Sequence, residues 1–308
     1  MLLARPYFWV VDPIEAARTC LSAAVAFAKP AGSRPAGHLC SKRFGHSVTF
    51  SLALTLCFCF CPPSFADPAH RPATTSDSKH DPADSAQKAY SQALSQHNKN
   101  PSDSEVAWQF ARACFDLAEF STNSAERAEL AERGIAACRQ IISQDPNSAP
   151  AHYYLGMNLG QLARTKGLGA LKLVDQMEHE FTTARELDEH FDYAGPDRNL
   201  GLLYRDAPSV GSIGSRAKAR KHLQRAAELA PEYPENGLNL IETCLRWSDR
   251  NGARRELKAL EAAWPNARAN LSGHTWTASW ADWEQRLNKA KKKIEEASKA
   301  IESPRQRD

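Results

Sequence analysis

The sequence predicts an all-α fold: a right-handed solenoid of helix pairs, closed at its C-terminal end by a capping helix. Three observations predict it. Ala219, Leu223, Ala226 and Pro231 recur 34 residues later as Ala253, Leu257, Leu260 and Pro265, and the same steps of four, three and five join Gly134, Cys138, Ile141 and Pro146. Steps of four and three keep side chains on one helix face, and a fixed period near 34 marks stacked helix pairs. Leu155-Gly156 and Leu200-Gly201 with Tyr204 put a glycine where a partner helix must approach closely. Finally, Trp276, Trp280, Trp283, Leu287, Ala290, Ile294, Ala297 and Ile301 form an unbroken stripe of fours and threes.

Charge is placed unevenly along the 308 residues. Of 39 basic and 36 acidic side chains, six and two precede residue 67, so the remainder is close to neutral. A mixed-sign body gives no global attraction to nucleic acid, and none is expected as a partner.

Residues 1–41 hold two short apolar pieces broken by Pro13 and Pro30, a leader that a start codon near 41–48 would leave untranslated. Lys42 and Arg43, the apolar run 48–61 and Ser64-Phe65-Ala66 are the parts of a secretory signal peptide over 42–66. Cleavage after Ala66 would leave a periplasmic or secreted chain with no stable membrane insertion. The alternatives are an uncut anchor through 48–61, or lipidation at Cys57, Cys59 or Cys61, which bulky neighbours disfavour. Residues 67–80 are rich in Pro, Ser and Thr and read as a flexible linker.

Repeats are expected over 81–270. A half repeat comes first, with Ala86, Ala89, Tyr90, Ala93 and Leu94 on one face. The first full unit opens with Ser104 as N-cap and carries Trp108, Ala111 and Phe115; a longer connection, 119–127, leads to its second helix. The second unit pairs the Gly156 helix with one bearing Met177, Phe181 and Ala184, where Glu189 stands in place of the closing proline. The third runs from Asp197 to Pro231 across the Gly-, Ser- and Pro-rich connection 206–215, and the fourth ends at Pro265. Pro146, Pro231 and Pro265 are expected to mark turns.

These residues resemble the tetratricopeptide-repeat (TPR) superfamily over roughly 85–265. His152 and Asp197 depart from its pattern, since each stands where the first helix usually has an aromatic residue. Long connections at 166–169 and 206–215, together with export, are also similar to the T component of TRAP transporters. The resemblance implies a concave groove built from first helices and a protein or peptide ligand; T-component likeness would instead imply a small-ligand or transporter-accessory role.

The last helix, within 271–303, is expected to cap the array with its Trp-rich half; its distal half offers a route to a homodimer. Off-core residues of the first helices are the groove candidates: Gln109, Arg112, Asn158, Gln161, Arg198 and Arg205. No catalytic residue, cofactor or metal site is expected. Gly211–Ser215 before Arg216, Lys218, Arg220 and Lys221 lacks the ending of a phosphate-binding loop and reads as a capped helix start. His179-Glu180 lacks the second His of a zinc peptidase helix, since Thr183 occupies that place. Of eight cysteines, Cys114, Cys138 and Cys244 follow the signal segment. They read as buried thiols, with a Cys114–Cys138 disulfide as the alternative in an oxidising compartment. The expected function is that of an exported, non-enzymatic binding scaffold.

Overall fold

A computed structural model describes residues 81–167 and 169–302, with side chains through Glu296. The expected leader, signal peptide and linker lie outside those residues, and the side chains at the distal end of the last helix lie outside those described. Among the described residues all regular structure is helical: α1 (Pro82–Lys99), α2 (Ser104–Ala118), α3 (Ser124–Gln144), α4 (Ala149–Ala163), α5 (Ala170–Leu187), α6 (Phe191–Asp206), α7 (Arg216–Leu229), α8 (Pro234–Arg246), α9 (Arg250–Asn270), a 3-10 turn (His274–Trp276) and α10 (Thr277–Glu302).

Side chains from the preceding turn start five of these helices. Asp81, Asp103, Asn123, Ser215 and Asp249 each accept a hydrogen bond from a backbone N–H in the first turn. Asp103, not Ser104, caps α2: its carboxylate takes both Glu105 N and Val106 N at 2.9 and 3.2 Å. A carboxylate at this place also faces the positive end of the helix, an advantage a hydroxyl lacks.

Successive helices pack as pairs: α2 with α3, α4 with α5, α6 with α7, and α8 with α9. Each second helix also packs on the next first helix, and the first helices α2, α4, α6 and α8 meet in series. The glycines set the spacing within pairs. A Cβ built on Gly156 would lie 2.6 Å from Phe181 Cε1, and one on Gly201 would lie 2.6 Å from Leu223 Cγ. Two large apolar clusters fill the layers, one from Tyr90 to Ala219 and one from Ala194 to Ile294, with α6 contributing to both, and a small third one joins Ala107, Ile141 and Ala151.

α10 closes the array. Trp280, Trp283, Leu287, Ala290 and Ile294 are buried, and α10 packs on α8 and α9. Trp280 Nε1 donates to Leu271 O at 2.7 Å, and its ring meets Trp264 edge-on at 5.3 Å. This stripe is thus covered within the chain as far as Ile294.

Several expectations about boundaries are corrected. Pro265 lies inside α9, which continues to Asn270. Its ring is exposed, so the carbonyl it leaves without an N–H can be hydrated, while Trp264, Ala267 and Leu271 carry the apolar face onward. The connection after α2 spans only 119–123. Glu189 sits in a turn where Asp188 Oδ1 accepts from His190 N at 2.9 Å, so a side chain closes the turn without proline. Leu257 is half-buried and Pro231 exposed, while Ala219, Leu223, Ala226, Ala253 and Leu260 are buried.

In α6 a kink at 192–194 precedes the continuous right-handed helix, which carries Asp197 in its first turn. Asp192, Tyr193 and Ala194 have left-handed backbone, with φ of 49°, 55° and 59°. Such conformations cost an L-residue on the order of 1 kcal/mol or more each, so the surroundings must hold them in place.

Candidate functional site

The two departures from the repeat pattern prove equivalent in structure. His152 Nδ1 on α4 lies 2.6 Å from Glu180 Oε2 on α5, and its Nε2 is 2.9 Å from Pro146 O. One repeat later the roles exchange: Asp197 Oδ1 on α6 lies 2.6 Å from His222 Nδ1 on α7. Each pair ties a first helix to its own second helix, where an aromatic residue would have packed. The Glu180 hydrogen bond raises the His152 pKa above its ordinary value, against the opposing effect of burial.

Arg198, which is fully buried, holds the left-handed turn. Its Nη1 donates to the Asp192 and Tyr193 carbonyls at 3.2 and 3.1 Å and to Asn236 Oδ1 at 3.1 Å. Its Nη2 donates to Asp192 Oδ2 at 2.8 Å, and Tyr153 donates to the same oxygen at 2.7 Å. Asn236 Nδ2 donates to the Tyr193 carbonyl at 3.0 Å. The planar guanidinium therefore links the turn to α4 through Tyr153 and to α8 through Asn236.

A strip of charged and polar side chains follows the first helices. On α2 and just beyond it, Arg112 Nε is 3.6 Å from Asp116 Oδ2, and Glu119 accepts from Arg164 Nη1 of the next unit at 2.9 Å and from Gln161. Burial raises the Glu119 pKa, although Arg164 and Gln161 pull it down. Between α6 and α8, Asp206 takes Arg205 Nη2 at 2.7 Å and Arg246 Nη1 at 2.5 Å, and Arg205 Nη1 donates to Thr243 Oγ1 at 3.3 Å.

The strip ends at α10. Arg286 donates to Glu235 Oε1 at 2.8 Å, Glu242 Oε1 at 2.9 Å and Asn239 Oδ1 at 2.9 Å. Burial alone would lower its pKa, but the Glu235 and Glu242 carboxylates outweigh that and hold it above the ordinary value. Trp283 Nε1 donates to the other Glu235 oxygen at 3.0 Å.

The groove candidates divide between the strip and the interior. Gln109 is exposed and donates to Glu105, and Arg112 and Arg205 are partly exposed within the strip. Asn158, Gln161 and Arg198 are 0%, 1% and 0% exposed, which corrects their expected place on an open surface. The reason is that α4 and α6 are buried on nearly every side; Asn158 instead donates to the Ala111 and Tyr154 carbonyls at 3.0 and 2.8 Å.

Sequence reasoning missed Asp116, Glu119, Arg164, Asp206, Glu242, Arg246 and Arg286. A signal existed for most of them. Polar residues recur at steps of four and three on the first helices, as in Arg112, Asp116, Glu119 and in Glu235, Asn239, Glu242, Arg246.

Other sequence features take simple places. Ser215 caps α7 through Lys218 N at 3.3 Å, and Lys218 Nζ sits 4.6 Å from the centre of the Tyr204 ring. Cys114, Cys138 and Cys244 are free and buried, so the Cys114–Cys138 disulfide is not formed. Burial pushes the Cys114 thiol up to about 12. Among the described residues no group of three or more His, Cys, Asp or Glu is placed to hold a metal.

Comparison with known proteins bears on the architecture. The family model for regulator of microtubule dynamics protein 1-3 matches residues 73–192, less than half of the chain. No curated protein sequence matches. Among solved structures, the chain is similar to TTC0263, a thermophilic TPR protein of Thermus thermophilus, with 18% identity over 67% of this chain and 90% of that one and a TM-score of 0.51. It also aligns with yeast Tom70 at 13% identity over 68% of this chain and 59% of that one, with a TM-score of 0.26, too low to carry an argument. Paired helices, glycine contacts between them and the likeness to TTC0263 agree: the described chain has a TPR-like helical-repeat fold.

Proposed function

We propose that the chain is an exported, non-enzymatic scaffold that holds a protein or peptide partner along the polar strip of its first helices. The observation that carries the reading is the strip itself. Partly exposed charges from α2 to α10 are fixed by neighbours in the next unit, so they are already oriented before a partner arrives. A polar surface of this kind gives specificity and modest affinity rather than tight apolar docking. Export rests on the signal-peptide pattern of 42–66.

The small-ligand or T-component reading calls for a deep apolar cavity. One depression among the described residues is bordered mainly by charged and polar side chains, and a second by Glu232, Asn266 and Asn270 with Pro231, Ala263 and Ala269, which supports the protein or peptide reading. From the family model only the repeat architecture is carried over, because its match ends at Asp192, before α7 to α10.

The test is capture of partners from the native envelope by the full chain and by a Glu242→Arg, Arg246→Glu variant. Both side chains are partly exposed, so folding is expected to persist and is checked by circular dichroism. Loss of the wild-type partner supports the proposal; undiminished capture refutes it.

A further inference from the structure

The second helices carry a feature that partner binding on the strip does not use. An open depression of about 560 Å³ is bordered by Arg185 at the end of α5 and by Lys221, Gln224 and Arg225 on α7, with Asp197 and His222 also lining it. Its cations are only partly neutralised. Arg225 pairs with Glu189 at 2.8 Å, and Arg220, also at the border, pairs with Asp249 at 2.8 Å. Lys221 makes no ion pair among the described residues. Arg185 Nε is buried with no hydrogen-bond partner. Native structures seldom leave a buried guanidinium N–H without an acceptor unless something else supplies one.

Against the four cations of the lining, Arg185, Arg220, Lys221 and Arg225, stand two carboxylates, Asp197 and the exposed Glu228. Asp197 is 1% exposed, and its Oδ1 is occupied by His222 Nδ1 at 2.6 Å, while its Oδ2 is buried without a partner. Asp197 is thus engaged by the imidazole at one oxygen. Guanidinium and ammonium groups around one open depression match the oxygens of a phosphate.

We infer that this depression binds a phosphate dianion, free or esterified, through Arg185 and Lys221. The inference is independent of the scaffold reading, since it uses second-helix residues and a small ligand; either can fail without the other.

Isothermal titration of the full chain with inorganic phosphate and with O-phosphoserine tests it, with chloride holding ionic strength constant. Saturable binding is expected, weakened about tenfold by Lys221→Gln, the loss of one charge-assisted contact, and abolished by Arg185→Gln. Lys221 is exposed and unpaired, so its variant keeps the fold and keeps the test valid if the Arg185 variant does not. Tighter O-phosphoserine assigns the site to an esterified phosphate, and tighter inorganic phosphate to the free ion. Heats no larger than those of added chloride, or equal affinity in wild type and Lys221→Gln, would overturn the proposal.

Discussion

His152 Nδ1 and Glu180 Oε2 face each other at 2.6 Å between α4 and α5, in the place where a repeat of this kind usually packs an aromatic ring. The Glu180 hydrogen bond raises the His152 pKa above the ordinary 6.5. The protonated pair therefore contributes its full stability below that value and loses it as pH rises through the raised folded value. Melting temperature should fall as pH rises from 6.5 through the raised folded value, by roughly 2–4 °C for each kcal/mol lost. His152→Phe, which restores the aromatic and removes the titration, should flatten the profile; superimposable profiles for the two proteins would contradict this.

Close approach at Gly201 should tolerate no side chain. Leu223 is fully buried, and its backbone N lies 3.0 Å from the added Cβ, so relief requires α6 and α7 to separate. Gly201→Ala is expected to destabilise by about 1–3 kcal/mol in urea unfolding. Gly167→Ala, which meets nothing within 4 Å, serves as the control and should be near neutral.

Arg198 should be irreplaceable by lysine. Its fork reaches two carbonyls, the Asp192 carboxylate and Asn236 together, and an ammonium cannot span that set. Arg198→Met leaves the Asp192 carboxylate without its cation beside the left-handed turn and should cost about 3–5 kcal/mol. Arg198→Lys should recover less than half of the loss; full recovery would show that charge alone holds the turn.

The three thiols should be silent in the native protein. All are buried; burial pushes Cys114 up to about 12 and raises Cys138 and Cys244 above their ordinary value. Iodoacetamide at neutral pH should label none of them until the chain is unfolded, because only the thiolate reacts. Prompt labelling of native protein would contradict the packing of α2, α3 and α8.

Much of the fold is legible in the sequence because its signals are local and periodic. Ala219, Leu223, Ala226 and Gly201 are small or apolar residues whose spacing alone puts them between helices, and the tryptophan stripe marks α10 in the same way. Pro265 misled because a proline exposed on a helix need not end it; only the packing of Trp264, Ala267 and Leu271 onto α10 decides that. The site was less legible. Asn158, Gln161 and Arg198 are polar, and polarity normally means surface, but α4 and α6 are enclosed by helices on both sides. Arg198 is inside because it serves the left-handed turn at 192–194, which no residue type there announces: Asp192, Tyr193 and Ala194 include no glycine. The pairing of Arg286 with Glu235 and Glu242 joins residues more than 40 positions apart, which helix periodicity cannot relate.

Partner contact with the first-helix strip is tested most directly by photocrosslinking in the native envelope. A photoreactive residue is placed at Gln109 or Glu242 on the strip, and at Lys258 on α9 as the second-helix comparison. The account predicts the same protein or peptide adduct at 109 and 242 and none at 258. Adducts confined to 258, with 109 and 242 silent, would contradict it.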